Sequence, residues 1–509
     1  MRLGASMAAN QLETPSSLRM PPREGESPPH AWEPFFHEME KLDRAVNDLR
    51  RRAPDFSAAT PTPIWQRVFL LALSASFSAG LILLNGPGLF LWTFALALPF
   101  LTIAAVRAVA VWRVLDQAHE DGEAFGCDRR FDARLPSFSV LVPLYRERAV
   151  VRGLVEAMLR LDYPADRLEF LFITEVDDHA TRQALARAGL AANMRIVTVP
   201  SGQPRTKPRA LNYALQDARG VLVAIYDAED IPDADQLRRA AEAFIEGGPR
   251  LACVQARLGI YNADQSFLSR QFALEYSALF RGQLPVLEFL NLPIPLGGTS
   301  NHFRRDLLLK CGGWDPYNVT EDADLGIRLA RLGYEVSIIP SETTEEAPAY
   351  WRTWRGQRTR WIKGWIQTYL VHMRRPLRLW RDLGSWRFIG FQAIIGGMIL
   401  SILVHPWFYV LAVVHGLGEG RVIPAEAPLE WLCGINLALG YCAAWMLTIV
   451  TAMRTGSRRQ LLSALWLPIY WLAISWAAYR ALHELIFRPF HWEKTKHGQA
   501  PRDHAGILK

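Results

Sequence analysis

The chain contains 509 residues, of which half are hydrophobic and 11% aromatic, including 18 tryptophans. This length accommodates several domains, and the apolar content exceeds what a soluble enzyme needs, so the composition predicts membrane segments. A net charge of +7 is small for this length and fits basic flanks of membrane helices, so no nucleic-acid partner is expected. Five scattered cysteines without a C-x-x-C pair argue against a disulfide framework and a zinc site.

The N-terminal part divides into a polar tail and a membrane hairpin. Residues 1–63 are rich in Pro, Glu, Ser and Arg and show little apolar periodicity, which predicts a mostly disordered cytoplasmic tail. Residues 64–113 hold two uncharged stretches, 68–84 and 89–106, separated by a turn-forming Asn-Gly-Pro-Gly at 85–88. Because each stretch can cross about 30 Å of hydrocarbon as a helix, two transmembrane helices are expected.

Residues 114–380 have the pattern of an α/β domain, because short apolar runs alternate with charged helical segments. The alternation implies right-handed crossovers and a mostly parallel sheet covered on both faces, with ligands at the carboxyl ends of the strands. Strands are expected at 138–142, 168–173, 194–199 and 221–226, with helices at 150–161, 179–188 and 209–216.

Uncharged runs return in the C-terminal part, and residues 381–460 are expected to form two more transmembrane helices, at 388–414 and 431–453. The next run is interrupted by Pro468 and followed by charged side chains, so residues 461–488 form either a fifth transmembrane helix or an interfacial or re-entrant segment. We favour the second interpretation and four spans. Residues 489–509 form a tail that can serve as a gating loop.

The distribution of Lys and Arg predicts the orientation in the membrane. The segment before the first span and the loop 454–460 are basic, whereas residues 415–430 contain only Arg421 as a Lys or Arg. The positive-inside rule therefore places the tail, the α/β domain and this loop on the cytoplasmic side of the cell membrane.

Polar side chains follow three of the predicted strands, where ligands of such sheets bind. Carboxylates at a strand end suit a divalent cation that keeps its waters and binds substrate phosphates, although acids before a helix also serve as N-caps. The residues are Tyr145 after the first strand, then Glu175, Asp177 and Asp178 after the second, and Asp227, Glu229 and Asp230 after the fourth.

Three further motifs have both a chemical and a structural interpretation. Lys207 opens a helix whose amino end favours an anion, or it is simply solvated there. The Thr-Glu-Asp at 320–322 precedes the helix expected at 324–332, as a cap or as catalytic acids. The Gln-Arg-Thr-Arg-Trp at 357–361 lies in a stretch of alternating Trp and Arg that fits a helix on the bilayer surface.

These motifs, in this order and between membrane helices, resemble the processive-type family 2 glycosyltransferases, which include cellulose, hyaluronan and chitin synthases. The resemblance covers about residues 135–380, and its most specific elements are T-E-D at 320–322 and Q-x-x-R-W at 357–361. It implies a Rossmann-like, mostly parallel α/β GT-A domain inserted between transmembrane helices. It also implies inverting transfer of a hexose from a nucleotide sugar, expected to be a UDP-sugar, with Mg²⁺ or Mn²⁺ as cofactor.

The resemblance also implies a role for each motif residue. Asp322 is the base that takes the proton of the acceptor hydroxyl, and Glu321 orients it. The metal ligands are Asp227 with Glu229 or Asp230, because the usual D-x-D reads here as Asp-Ala-Glu followed by Asp. The resemblance assigns the nucleobase of the donor to Glu175, Asp177 or Asp178 without choosing among these acids, with Tyr145 close to the base or ribose. The other donor contacts are Lys207, Gln357, Arg358 and Arg360, the acceptor contacts are Trp361, Gly298 and Thr299, and a possible lid is formed by Lys494, Thr495 and Lys496.

Two products are compatible with these motifs. The sequence favours a β-linked polysaccharide that passes through the bundle of transmembrane helices. Aromatic and polar side chains such as His405, Trp407 and Tyr441 would line the path, and a possible homodimer would complete the channel. The alternative is a non-processive enzyme that glycosylates diacylglycerol or another lipid. Membrane lipid is a partner in either case, and a non-enzymatic receptor or scaffold would leave the acidic motifs without a role.

Overall fold

The computed structural model describes residues 33–83, 86–116, 132, 134–406, 409, 428–454 and 458–488. Residues 1–32 of the predicted tail, Trp407 and the predicted lid residues Lys494, Thr495 and Lys496 lie outside this part of the chain.

The α-helices and strands of the described residues are numbered here in chain order. The helices are α1 Glu33–Arg52, α2 Ile64–Leu83, α3 Gly86–Asp116, α4 Val151–Leu159, α5 His179–Arg187, α6 Lys207–Leu215, α7 Gln236–Glu246, α8 Phe267–Ala278, α9 Leu284–Phe289, α10 Arg305–Lys310, α11 Glu321–Arg331, α12 Trp351–His372, α13 Pro376–Phe391, α14 Pro428–Met453, α15 Arg458–Ser463 and α16 Leu467–Phe487. The strands are β1 Phe138–Leu144, β2 Leu168–Glu175, β3 Met194–Val199, β4 Leu222–Ile225, β5 Ile231–Pro232, β6 Leu251–Ile260, β7 Asn301–Arg304 and β8 Glu335–Glu345.

The α/β domain is built on one mixed, mostly parallel sheet in the order β3-β2-β1-β4-β7-β6-β8-β5. Neighbouring strands are parallel from β3 to β4 and again between β6 and β8, whereas β7 is antiparallel to both β4 and β6. The four strands and three helices expected for the first half of the domain are all present. The predicted mostly parallel α/β fold is therefore confirmed.

Helices cover both faces of the sheet, which explains why β1, β2 and β4 are almost continuously apolar. Val140 and Val142 of β1 pack with α4, α5 and α7 on one face. Leu141, between them, packs with α6, α10 and α11 on the other face. The site described below lies where the ends of these strands meet α6 and α11.

Helix α1 differs from the disorder expected for residues 33–63. Leu42 and Ala45 are buried in the core cluster that contains α6, and Leu49 is buried on the same face of the helix. The Nζ of Lys41 lies 2.6 Å from a carboxylate oxygen of Asp217, and the Asn212 amide donates a 3.0 Å hydrogen bond to the carbonyl of Ala45. The prediction is corrected because a short apolar stripe at i, i+3 and i+7 is enough to dock a largely polar helix.

Among the described residues, four helical segments are long and apolar enough to cross a membrane. They are Ala97–Asp116, Pro376–Pro406, Gly434–Met453 and Arg459–Phe487, and Ile64–Ser76 is a shorter apolar helix. The number equals the expected four, but the segments differ, because the sequence assigns one span to 68–84 and leaves 461–488 at the interface.

A glycine interrupts one of these apolar segments, whereas a proline leaves another one continuous. Gly384 has φ +71°, a conformation that strongly favours glycine, so the segment Pro376–Pro406 is broken into a short helix and a longer apolar one. Pro468 lies in the first turn of α16, where proline is tolerated, so this helix continues without interruption to Phe487.

Helix α16 runs beside α12 along much of its length. The indole N–H of Trp354 donates a 3.1 Å hydrogen bond to the Tyr470 hydroxyl near the beginning of α16. Near its end, the Nζ of Lys363 lies 3.2 Å from a carboxylate oxygen of Glu484. Both contacts advance in the same direction along the two helices, so α12 and α16 lie roughly parallel.

The docking of α1 gives a first prediction. Replacing Ala45 by Gln inserts a larger polar side chain between α1 and α6, and we expect a loss of about 2–4 kcal/mol of unfolding free energy. The same new residue at the adjacent exposed position, Arg44→Gln, removes only a surface ion pair to Glu40 and should change stability by about 0.5 kcal/mol or less. The check is the unfolding midpoint of both variants in detergent, followed by tryptophan fluorescence. Equal midpoints would contradict the docked position of α1.

Candidate active site

The predicted anion-binding lysine and the first acid of the predicted metal motif lie together. Asp227 follows the end of β4, and Lys207 is the first residue of α6. The Lys207 ammonium donates to the Asp227 carboxylate and, at 2.8 Å, to the carbonyl oxygen of Gly298. The loop after β4, the amino end of α6 and the segment before β7 therefore converge on one ammonium group.

The two acids of the T-E-D motif reach the same place from α11. A Cβ atom added to Gly298 would lie 3.1 Å from a carboxylate oxygen of Asp322, so the missing side chain of Gly298 allows this close approach. Arg360 of α12 adds a second cation, which acts on Glu321, Asp322 and Asp227. Two cations and three carboxylates, taken from four segments of the chain, form the centre of the site.

Burial and mutual repulsion change the titration of these groups. Burial raises the pKa of Glu321 to about 7, the charge of Asp322 adds to this effect, and Lys207 and Arg360 oppose it. Burial also raises the pKa of Asp322, against a 2.7 Å hydrogen bond from the Ala323 N–H and the same two cations. For Lys207, burial favours loss of the proton, but the carboxylates of Asp227, Glu321 and Asp322 outweigh it and raise the pKa. The ammonium therefore stays charged at neutral pH.

Asp230 and Thr299, predicted as a metal ligand and an acceptor contact, lie beneath this centre. Asp230 accepts a 2.7 Å hydrogen bond from the backbone N–H of Asp227 and another from the hydroxyl of Thr299. Both side chains are almost fully buried. Burial raises the pKa of Asp230 well above its ordinary value, and the nearby charges of Asp227 and Glu229 add to the shift. The structure thus places both residues where they hold the turn that carries Asp227.

The remaining acids fit the kind of metal site that was expected. Among the residues that the structure describes, no group of three or more His, Cys, Asp and Glu side chains could hold a metal ion by itself. A magnesium-type ion that keeps waters and binds substrate phosphates needs only one or two protein carboxylates. Asp227 at the mouth of the site and Glu229, two residues further along the same turn, meet that requirement.

A second cluster lies after β1 and β2, where the predicted nucleobase contacts belong. Arg205 donates hydrogen bonds to a carboxylate oxygen of Asp177 at 2.8 Å and to the Tyr145 hydroxyl at 3.0 Å. The guanidinium groups of Arg146 and Arg205 both lie over the Tyr145 ring. Sequence reasoning missed Arg205, although its position could have indicated it, because it lies two residues before Lys207 in the loop that leads into α6.

The other two predicted acids of this region have partners elsewhere. Glu175 is buried, and one of its carboxylate oxygens lies 2.5 Å from the guanidinium of the fully buried Arg209. Asp178 caps α5 by accepting from the Thr181 N–H, and it also accepts from the Arg146 N–H at 2.5 Å. Of the three acids that the sequence leaves open, Asp177 is the one that accepts a hydrogen bond from Arg205, while Glu175 interacts with the charge of Arg205 at longer range.

The two arginines of the Q-x-x-R-W motif serve different surroundings, because residues two apart on a helix point in nearly opposite directions. Arg360 interacts electrostatically with Glu321, Asp322 and Asp227. Arg358 pairs instead with Glu275 of α8 and donates a 3.2 Å hydrogen bond to the Tyr470 hydroxyl of α16. Gln357 is buried beside it. The structure therefore separates Arg358 from the predicted donor-binding group.

Trp361, the predicted acceptor contact, lies in an aromatic cluster. Its ring is stacked on Tyr276 with a centroid distance of 6.3 Å, and the Arg358 guanidinium lies 4.8 Å from its centre. Tyr276 in turn hydrogen-bonds Glu345 at the end of β8. Sequence reasoning missed Tyr276 and Glu345, since no short motif marks them.

Helix α12 also contacts the segment that precedes Glu321 and Asp322. A Cβ on Gly364 would lie 2.4 Å from the Thr320 side chain, so the two elements are in tight contact. Gln367 accepts a 3.2 Å hydrogen bond from the Val319 N–H, and the Asn318 amide donates to the Thr368 hydroxyl at 3.0 Å. One helix thus positions Arg360 and also holds the segment before Glu321 and Asp322.

Comparisons with known proteins find similarity to glycosyltransferases. Residues 136–364 match the protein family described as "Glycosyltransferase like family 2". The probable glycosyltransferase YdaM of Bacillus subtilis is 29% identical over 241 residues, which are 45% of this chain and 55% of that protein. The β-monoglucosyldiacylglycerol synthase of Synechocystis sp. is 28% identical over 397 residues, 72% of this chain and 76% of that enzyme.

A probable glucomannan 4-β-mannosyltransferase of Arabidopsis thaliana is 26% identical over 272 residues, 48% of each chain. The chain thus matches only about half the length of the Bacillus and Arabidopsis relatives. Among solved structures, the mannosyltransferase PcManGT of Pyrobaculum calidifontis, in complex with GDP-Man and Mn²⁺, has a TM-score of 0.49 and 19% identity. This match covers 78% of the present chain and 99% of that one.

The raised pKa of Glu321 gives a second prediction. The native carboxyl keeps its proton up to about pH 7, whereas the unfolded one releases it near its ordinary value of 4.5. The native state therefore binds more protons between these values, and the free energy of unfolding contributed by Glu321 falls as the pH rises through this window. Glu321→Gln removes this contribution.

The measurement is the difference in unfolding midpoint between Glu321→Gln and wild type at several pH values. We expect the unfolding midpoint of the variant to rise relative to that of wild type as the pH increases from about 5 to about 7. Glu335→Gln, at an exposed carboxylate of β8, is the matched control and should keep a constant difference. A constant difference for Glu321→Gln as well would contradict the raised pKa.

Proposed function

Residues 136–364 match the family 2 glycosyltransferases and have the GT-A fold, and on this basis we propose that the protein transfers a hexose from a nucleotide-diphosphate sugar to a membrane lipid. The observation that carries the proposal is the meeting of Asp322 with Lys207 and Arg360. Arg360 lies on α12, the helix whose Lys363 pairs with Glu484 of the apolar helix α16. The acceptor that is most accessible to such a site is one that resides in the bilayer.

The proposed reaction is an inverting displacement. Asp322 takes the proton of the acceptor hydroxyl as its oxygen attacks the anomeric carbon, and the bond from that carbon to the diphosphate oxygen breaks on the opposite face. Glu321, with its raised pKa, limits the repulsion that two ionised neighbours would suffer and helps to keep the negative charge on Asp322. The acidic pair thereby supplies one base at neutral pH.

The leaving diphosphate needs compensation of its growing charge. Lys207 and Arg360 supply fixed positive charge at the place where the carboxylates and the diphosphate meet. Asp227 and Glu229 would hold Mg²⁺ or Mn²⁺, which supplies further neutralisation of the diphosphate when bound. Asp230 and Thr299 keep Asp227 in position through the hydrogen bonds described above.

The donor is proposed to be a UDP-sugar bound along the ends of β1 and β2. The Asp177 carboxylate suits the imide N–H of uracil, and the guanidinium of Arg205 suits the carbonyl oxygens on either side. Tyr145, between the two arginines, offers its ring edge or hydroxyl to the base or ribose.

Two observations favour a lipid acceptor over a polymer. The match to the β-monoglucosyldiacylglycerol synthase extends over 397 residues and so reaches beyond the catalytic domain. In the bundle, the hydroxyl groups of Tyr409 and Tyr441 lie 2.6 Å apart, and Tyr441 also hydrogen-bonds His405. These side chains contact one another, as in a packed cluster, instead of facing a common path.

The second candidate is the β-linked polysaccharide that the sequence favours. It is supported by the T-E-D and Q-x-x-R-W motifs of processive enzymes and by the match to the glucomannan 4-β-mannosyltransferase. The homodimer that would enlarge the bundle for a polymer stays a prediction.

For the topology, we propose that α16 lies along the interface and that the catalytic domain faces the cytoplasm. Helix α16 follows α12 from Trp354 to Lys363, and α12 itself contacts the catalytic segment through Gly364. A helix parallel to α12 over that length stays at the depth of α12. This placement keeps the residues after Phe487 on the catalytic side, where the predicted lid residues Lys494, Thr495 and Lys496 would be useful.

The proposal is tested by incubating the full chain in nanodiscs of native lipid with radiolabelled nucleotide sugars and Mg²⁺ or Mn²⁺. We expect one organic-extractable glycolipid, and Asp322→Asn should lower the rate by about 10²–10⁴-fold, because it removes the base. Asp306→Asn, an exposed pair partner of Lys310, is the control and should keep the wild-type rate. A large glycosidase-sensitive product would establish the second candidate instead, and no turnover with any donor would refute both.

The assignment of the metal carboxylates gives a fourth prediction. Asp227→Asn should raise the metal concentration that gives half-maximal rate by about tenfold or more, because a ligand loses its charge. Asp230→Asn should leave this concentration nearly unchanged, because the amide oxygen can still accept from the Asp227 N–H and the Thr299 hydroxyl and so keep the turn that carries Asp227. The reverse order in a Mn²⁺ titration would identify Asp230 as the ligand.

A further inference from the structure

A short helix with exposed arginines precedes one of the apolar segments. The first part of α13, Pro376–Leu383, ends at the break at Gly384, after which the apolar helix continues to Pro406. Arg375 just before it, and Arg378 and Arg381 within it, are all exposed. We call these three residues the arginine strip.

The helix that carries the arginine strip has one docked face and one open face. Leu379 and Leu383 are buried in a cluster with Ile327 of α11. On the open face, Leu377 is 66% exposed and Trp380 is 48% exposed. The open face is therefore half basic and half apolar, which is the pattern of helices that lie in the headgroup region of a bilayer.

Two apolar helices begin next to the arginine strip. One is the part of Pro376–Pro406 that follows Gly384. The other is α2, whose first turn is held near the end of α12 by a 3.0 Å hydrogen bond from the Gln66 amide to the Leu370 carbonyl. A surface from which two such helices depart lies at the level of the lipid headgroups.

The positive charge of the arginine strip is only partly compensated within the chain. Arg375 and Arg378 share one carboxylate, that of Asp55, at 3.2 and 3.4 Å. Asp382, on the same helix, is 2.6 Å from the guanidinium of Arg331 and so is already paired. Arg381 has no ion-pair partner among the described residues. Three guanidinium groups thus face the headgroup region against one carboxylate.

We propose that the arginine strip binds the phosphate groups of anionic phospholipids in the leaflet next to the catalytic domain. Guanidinium groups form paired, charge-assisted hydrogen bonds with phosphate, and Leu377 and Trp380 enter the boundary between headgroups and acyl chains. Each basic residue at such a surface contributes about a fivefold gain in lipid binding. The surface is separate from the sugar-transfer site, so its occupancy does not require the proposed reaction.

The test compares lipid retention by the full chain, purified in mild detergent with equal amounts of phosphatidylglycerol and phosphatidylcholine and examined by native mass spectrometry. Wild type should retain phosphatidylglycerol in preference to phosphatidylcholine, and the triple variant R375Q/R378Q/R381Q should lose most of this preference. The control R152Q/R187Q/R250Q removes the same charge from exposed positions of the α/β domain and should retain it.

Several outcomes would overturn the proposal. An unchanged preference in the R375Q/R378Q/R381Q variant would show that the anionic lipid binds elsewhere, and an equal loss in the control would show that only net charge matters. Displacement of the lipid by excess inorganic phosphate would reveal a site for soluble anions. An unfolding midpoint equal to that of wild type confirms that the variant is folded. Because the assay contains no sugar donor, failure of the proposed sugar transfer leaves its result intact.

Discussion

The structure depends on a charge balance at one partly buried point. Asp227, Glu321 and Asp322 would repel one another at the end of the sheet without the ammonium of Lys207 and the guanidinium of Arg360. The cations come from different layers, since Lys207 begins α6 on the sheet and Arg360 lies on α12. The site is therefore complete only when α12 is packed on the α/β domain.

Helix α12 performs this assembly through opposite faces. One face carries Arg360 and, at Gly364, contacts the segment that precedes Glu321 and Asp322. Another carries Arg358, which is held by Glu275 and the hydroxyl of Tyr470. The imidazole of His372, at the end of α12, donates a 3.0 Å hydrogen bond to the Asp324 carboxylate of α11. Movement of α12 against the α/β domain would thus displace Arg360 and the segment before Glu321 and Asp322 at once. The close contact at Gly364 leaves no room for a Cβ atom beside Thr320.

Much of this organisation can be predicted from local patterns. Apolar runs and helical spacing locate the strands and helices of the first half of the α/β domain to within a few residues, because burial on both faces leaves little freedom in composition. The strand-end acids and the helix-opening Lys207 indicate the candidate site, because ligands of such sheets bind at the carboxyl ends of the strands. The partners of the acids after β2 could not be predicted, because an acidic side chain can form an ion pair, cap a helix or bind a ligand. Glu175 pairs with Arg209, Asp178 caps a helix, and Asp177 hydrogen-bonds Arg205.

By itself, the sequence determined the fold class and most of the apolar segments, and it singled out the motifs with Lys207, Asp227, Glu321, Asp322 and Arg360, because these depend on composition and short-range spacing. The roles expected of those residues came only from the resemblance to a known family. Only the tertiary structure decided that α1 docks on α6, that Asp230 and Thr299 support the site from beneath, and that Arg358 turns toward α16. Those outcomes depend on which buried partner lies opposite a polar side chain. Such partners are distant in the chain, so no local pattern records them.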